Sequence, residues 1–136
     1  MREIHEVFYE KILLFRELCS NSNFEACSNT STDMITTAIM LDYQDGVFVA
    51  EVLEAIFNQL NTLSRQFDFE DKEHDILVRS LSDNLTVIAK TFGNDDKNKL
   101  YQALSNIRFV ATKLQYACYQ TKEVKRQERF NPFKQL

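Results

Sequence analysis

Apolar side chains recur along most of this chain at intervals of three or four residues, the spacing of one face of an α-helix. Four long stretches show the pattern: 3–20, 49–67, 71–92 and 95–127. Charged and polar side chains occupy the opposite side of each stretch, as they do in a helix with one buried face. The pattern therefore predicts four main helices joined by polar loops.

A polar stretch over 20–31 separates the first stripe from a shorter one over 34–41. Serine, asparagine and threonine dominate it, and these residues favour loops and helix ends over helix interiors. We expect it to be the longest loop, with Phe24 packed against the core. Thr32 or Asp33 can then cap a short helix, since a short side-chain oxygen accepts a hydrogen bond from the first backbone N–H groups.

The segment Asp42–Gly46 interrupts the next stripe. In a continuous helix, Asp42 and Asp45 would lie on the same side as the apolar stripe that follows. Burying unpaired carboxylates is costly, so we expect the helix to break here and expose both side chains to water. One long, kinked helix is the alternative.

Glycine and proline are rare, which restricts the fold class. The 136 residues contain two glycines and one proline, against about ten and seven at average usage. Sheet-rich folds need many turns, and turns use these residues heavily. With 44% hydrophobic residues to form a core, the chain is predicted to be an all-α antiparallel bundle of four main helices plus one short helix, with a long C-terminal helix.

The last helix is predicted to outreach its neighbours. At 1.5 Å per residue, helices of about 18 and 22 residues measure about 27–33 Å, whereas a 33-residue helix measures about 50 Å. Its final turns must extend beyond the bundle or pack on something else. We therefore divide the chain into a helical bundle domain, 1–121, and a basic helix end and tail, 122–136.

Charge is unevenly distributed. Residues 1–70 carry 12 acidic and 4 basic side chains, and residues 71–136 carry 8 acidic and 12 basic ones. The net charge of −4 argues against nucleic acid as the main partner. No apolar run approaches the length of a membrane span, so no membrane partner is expected.

The chain offers few residues for catalysis or metal binding. Its three cysteines form no paired motif, which is typical of reduced thiols in a cytoplasmic protein, and Cys118 falls on an apolar stripe. Asp71 and His74 have the spacing of metal ligands on a helix, but no second such motif completes a site, and His74 is better explained as an exposed polar residue at a helix start. We expect no metal, no cofactor and no enzymatic activity.

The last helix carries a second stripe, which is aromatic and lies beside a cation. Its members are Tyr101, Phe109, Tyr116 and Tyr119, and the cation is Arg108. Aromatic residues and arginine are enriched where proteins contact partners. The alternative is a central helix buried on two sides.

The C-terminal end combines basic and aromatic residues: Lys122, Lys125, Arg126, Arg129, Phe130 and Phe133. Cations there also suit the negative end of the helix dipole. The segment is either a docking site for an acidic protein surface or phosphates, or a frayed tail.

These observations predict a non-enzymatic protein–protein interaction module that binds through its last helix. A small adaptor, an inhibitor, an immunity-type protein or a subunit of a larger assembly would fit. The partner is expected to be another protein or a second copy of this chain, as a homodimer. The alternative is an accessory nucleic-acid-binding subunit that uses the basic C-terminal end.

Overall fold

A computed structural model describes the backbone of residues 4–67, 72–91 and 97–130, and the side chains of 6–67, 72–91 and 97–120. This part of the chain folds into helices without any strand, which confirms the all-α class. None of the helices in it is long and apolar enough to cross a membrane. The helices are α1 (Ile4–Ser20), α2 (Phe24–Met40), α3 (Gln44–Gln66), α4 (Lys72–Thr91) and α5 (Lys97–Phe130).

Hydrogen bonds between side chains show that α2 and α3 run antiparallel. Thr32 of α2 donates to Glu54 of α3 at 2.9 Å. Ser28 lies one turn before Thr32 in α2, and it donates to Asn58, which lies one turn after Glu54 in α3. The predicted antiparallel packing is present in this helical hairpin.

The first helix packs between the two hairpins, α2–α3 and α4–α5. Ser20 is 2.9 Å from Ser82, and Arg16 donates to Thr86 at 3.2 Å, so α1 and α4 are also antiparallel. The side of α1 that faces the core is fully buried, and the Phe15 ring meets Phe57 of α3 edge to face, with 4.6 Å between the ring centroids. Helix α1 thus joins both hairpins into one core.

The second helix begins at Phe24 and spans 17 residues, so the prediction of a long loop over 20–31 was wrong. Asn23 caps it by accepting a hydrogen bond from the Ala26 N–H at 3.2 Å. Hydroxyl groups in the polar stretch bond back to carbonyls of the preceding turn, and Ser31, for example, donates to the Ser28 carbonyl at 2.6 Å. The polar residues are therefore accommodated within the helix.

Two turns of the same type connect α1 to α2 and α2 to α3. Ser22 and Asp42 adopt left-handed backbone conformations, with φ of 56° and 54°. In each turn the next N–H group, of Asn23 or Tyr43, donates to the carbonyl five residues earlier, at 2.9 and 2.8 Å. This pattern closes a helix end in the Schellman manner. The helix break predicted over Asp42–Gly46 is present at residues 41–43, whereas residues 44–46 already belong to α3. A single kinked helix is excluded.

Gly46 lies just after this break, within the first turn of α3, and is buried. A Cβ atom added to it would lie 2.7 Å from Cζ of Phe8 and 2.8 Å from Cδ1 of Tyr43. Asp42 and Asp45 are exposed, as predicted. The glycine therefore gives α1 room to approach the start of α3 closely.

His74 is buried, at 2% exposed, which corrects its prediction as an exposed residue. It lies on the buried stripe of α4, one turn before Val78 and two turns before Leu81. Its Nε2 atom lies 3.9 Å from Sγ of Cys118 in α5. The imidazole is part of the packing between α4 and α5, where Cys118 is a small core residue as predicted.

All three thiols are free and buried. Burial raises the pKa of Cys19 to about 12 and that of Cys118 to about 11, and it also raises the pKa of Cys27. At pH 8 each sulfur is a protonated thiol, which is a poor nucleophile.

We expect a thiol reagent at pH 8 to modify the folded protein about 100-fold more slowly than the denatured protein, because both thiolate formation and access require unfolding. Absorbance of the released thiolate measures both rates. Rapid modification of one cysteine in the folded state would contradict the buried placement of that residue.

Candidate partner-binding surface

The predicted aromatic stripe of α5 is exposed, which agrees with a surface and not with a helix buried on two sides. Tyr101 and Tyr119 are 46% and 48% exposed, and Phe109 and Tyr116 are 60% and 65% exposed. On a helical projection the four positions span about 80°. We call these four residues the α5 aromatic surface.

Two edge-to-face aromatic pairs link this surface to α3. Tyr101 meets Phe48 with 5.7 Å between the ring centroids, and Tyr119 meets Phe67 at 5.4 Å. Since 48 and 67 pair with 101 and 119 in the same order, α3 and α5 run parallel. This parallel pair contrasts with the antiparallel packing of the hairpins.

A groove of about 240 Å³ lies along the later part of the α3–α5 boundary. Its floor is apolar, and its sides carry uncharged polar groups and one aromatic ring. We call it the α3–α5 groove. Its lining residues are Ile56, Gln59, Leu60, Thr62, Leu63, Gln66, Ala111, Gln115 and Tyr119.

The other two aromatic residues line a second depression, of about 440 Å³, on the α4 side of α5. Lys113 lies over the Phe109 ring, with Nζ 4.8 Å from the ring centroid. Tyr116 lines the same depression, and α4 contributes Glu73 and Leu77. The α5 aromatic surface is therefore flanked by a concave region on each side.

Arg108 lies on the α3 side of this surface. It comes seven residues after Tyr101 and seven before Gln115, so all three positions share one side of the helix. Its side chain is exposed, and among the described residues no acidic side chain pairs with it. The guanidinium is available to a partner.

Charge on α5 has a single sign over residues 97–120. This segment holds four cationic side chains and no acidic one. Each of the other four helices contains at least two acidic side chains. Lys97 and Arg108 lie towards α3 on a helical projection, and Lys113 lies towards α4. The exposed face of α5 is therefore aromatic and cationic.

The basic end of the predicted site lies largely outside the described residues. The backbone of α5 is helical to Phe130, which confirms a long last helix of 34 residues, against 23 for α3. The side chains of Lys122, Lys125, Arg126, Arg129 and Phe130 are outside the described part, as is all of Phe133. Their role stays a prediction.

Sequence reasoning missed the contribution of α3 to this surface. Phe48 lies just before the apolar stretch 49–67, and Phe67 is its last residue. No pattern within α3 marks these residues, because the surface arises only when α3 lies beside α5. No sequence pattern marks the glutamines that line the groove, Gln59, Gln66 and Gln115, as site residues either.

The described side chains contain no group of three histidine, cysteine or acidic residues that could hold a metal ion. The buried Cys118–His74 contact involves a thiol whose pKa is raised by burial, which favours a role in packing. No protein-family model, curated protein or solved structure matches this chain. The aromatic and cationic face of α5 is thus the best-supported candidate site.

Proposed function

We propose that this chain is a non-enzymatic protein–protein interaction module of the cytoplasm, which docks its partner on the α5 aromatic surface. The observation that carries the proposal is the exposure of four aromatic side chains along one face of one helix. The free, buried thiols support a reducing compartment. An adaptor, an inhibitor or an assembly subunit would each use such a surface.

Aromatic side chains in this setting favour association for a physical reason. Each can bury a large apolar area at a small cost in side-chain entropy, and a tyrosine hydroxyl can still hydrogen-bond at the edge of an interface. Contiguous exposed apolar patches on soluble proteins commonly mark interaction sites. Association through α5 would cover Phe109 and Tyr116, the most exposed of the four.

We expect a photoreactive phenylalanine analogue at position 109 to cross-link a discrete protein in the cells that make this chain. The same analogue at position 39 provides a matched control, because Ile39 of α2 is 62% exposed and Phe109 is 60% exposed. Mass spectrometry identifies the cross-linked protein. Indistinguishable cross-links from the two positions would contradict the proposal.

The purified cross-linking partner then allows a quantitative test. Replacing Phe109 and Tyr116 together with serine should weaken its binding by about 30-fold or more, since two interface aromatics at over 1 kcal/mol each contribute over about 2 kcal/mol. Ile39→Ser should leave the affinity unchanged. Calorimetry measures the dissociation constants, and circular dichroism checks that each variant retains its helices.

Binding of nucleic acid is the second candidate. The observation that favours it is the continuous helical backbone of α5 to Phe130, because positions 122, 125, 126 and 129 are spaced to share one helix face. Phosphate contacts give a steep dependence of log affinity on log salt concentration, and an apolar interface does not. A salt titration with duplex DNA and with the cross-linked protein separates the two candidates.

A further inference from the structure

We infer that a second copy of this chain binds to the α4–α5 face, forming a two-fold dimer in which Glu73 of each copy pairs with Lys113 of the other. This face is the depression of about 440 Å³ on the α4 side of α5, together with the side chains at its edge. The inference rests on the proposed function, because Phe109 and Tyr116 belong to this face, and it specifies which protein docks there.

The α4–α5 face carries large apolar side chains that are open to solvent. Phe109 and Tyr116 are 60% and 65% exposed, and Ile76 of α4 is 66% exposed. Ile76 lies at the edge of the depression, since it follows Glu73 by one turn and precedes Leu77, and both of those residues line the depression. Contiguous exposed apolar side chains of this kind favour association.

The apolar area of the face matches a small dimer interface. Three side chains of this size, about two-thirds exposed, offer roughly 300–400 Å² of apolar surface per copy. Apolar atoms supply a little over half of a typical interface, so the dimer would bury roughly 600 Å² per copy, or about 1,200 Å² in total. This area lies at the lower end of the range for specific complexes, and we therefore expect a dissociation constant of about 1–100 µM.

The depression is lined by one charge of each sign. Glu73 in the first turn of α4 and Lys113 of α5 are the only charged side chains among its lining residues, and both are exposed. Neither takes part in an ion pair within the described part of the chain. The face therefore presents one carboxylate and one ammonium group that a partner can pair.

Two-fold symmetry allows a second copy to neutralise both charges at once. A two-fold axis that lies in the plane of the interface can exchange the positions of Glu73 and Lys113, so each carboxylate meets the ammonium group of the other copy. A partner surface of a single charge sign would attract one of these groups and repel the other. Lys97 and Arg108 lie towards α3 on a helical projection, away from this face. Charge complementarity therefore favours a second copy as the occupant.

Sedimentation equilibrium of the purified chain tests the dimer directly. From about 5 to about 500 µM, we expect the average mass to rise from that of one chain towards that of two. Glu73→Lys and Lys113→Glu should each weaken self-association by about ten-fold or more, because each variant places like charges in both symmetry-related contacts. Circular dichroism checks that each variant retains its helices.

An equimolar mixture of these two variants tests whether the charges pair across the interface. One partner is then cationic at both positions and the other is anionic at both, so both contacts are again attractive. We expect a heterodimer with an affinity within about three-fold of that of the original dimer. Glu51→Lys and Arg65→Glu are the matched controls, because both residues are exposed on α3, outside this face, and neither change should affect self-association.

The inference is overturned if the chain remains a monomer at about 500 µM, if Glu73→Lys and Lys113→Glu affect self-association no more than the controls do, or if the mixture of the two variants does not associate. The proposed function has a separate readout. A monomeric chain that cross-links a different protein from position 109 retains the interaction module and rejects the dimer. A monomeric chain whose cross-links from positions 39 and 109 are indistinguishable rejects both.

Discussion

Replacing Phe57 with alanine is expected to lower the free energy of unfolding by about 3–5 kcal/mol, whereas Phe109→Ala should change it by less than about 0.5 kcal/mol. Phe57 is fully buried and contacts Phe15 of α1 and Phe24 of α2. Its truncation would leave a cavity where three helices meet. Phe109 is 60% exposed, so its removal leaves the core intact.

Urea denaturation followed by circular dichroism measures both values, with equal slopes for the two variants indicating a common unfolded state. Phe57→Leu provides a milder replacement, because it retains most of the apolar volume if the alanine variant does not fold. Comparable losses from Phe57→Ala and Phe109→Ala would place Phe109 in the core and remove the basis for a partner surface on α5.

Gly46→Ala is expected to destabilise the protein by about 1–3 kcal/mol, the usual cost of overpacking a core. Helix propensity alone predicts the opposite, since alanine is favoured over glycine by up to about 1 kcal/mol inside a helix. The added methyl group would lie 2.7 Å from the Phe8 ring, and that ring is fully buried. Packing against α1 should therefore outweigh propensity.

A double-mutant cycle isolates this contact. In a Phe8→Leu background the ring is absent, so the further loss caused by Gly46→Ala should shrink and the two substitutions should be non-additive by about 0.5–3 kcal/mol. The free energies of unfolding of the four proteins in urea give the coupling. A gain in stability from Gly46→Ala in the original chain would show that α1 does not approach α3 as closely as described.

The fold class follows from the sequence because apolar periodicity and scarce glycine and proline point to the same architecture. The start of α2 does not follow as easily. Propensity places a loop at 20–31, yet Phe24, Cys27, Met34 and Ala38 are buried at intervals that suit one helix face. Tertiary packing outweighs the weak preferences of serine and threonine there.

His74 is a second residue whose environment the sequence does not predict. It lies four residues before Val78, on the buried stripe of α4, but a polar residue near a helix start is usually explained by exposure. The sequence likewise identifies the aromatic face of α5 but not its neighbour. That α3 lies beside it, with Phe48 and Phe67 in contact, depends on topology and not on any local pattern.

The position of α1 between the two hairpins also determines when α1 can complete its packing during synthesis. Its partner residues in α4 lie far along the chain, and Ser82 follows Ser20 by 62 positions. At about 5–20 residues per second, a ribosome completes α1 roughly 3–12 s before that part of α4. In that interval α2 can cover one side of α1, but the side that packs on α4 has no partner yet. The side of α1 that packs on α4 therefore stays uncovered on the nascent chain for several seconds, until that part of α4 has been synthesised.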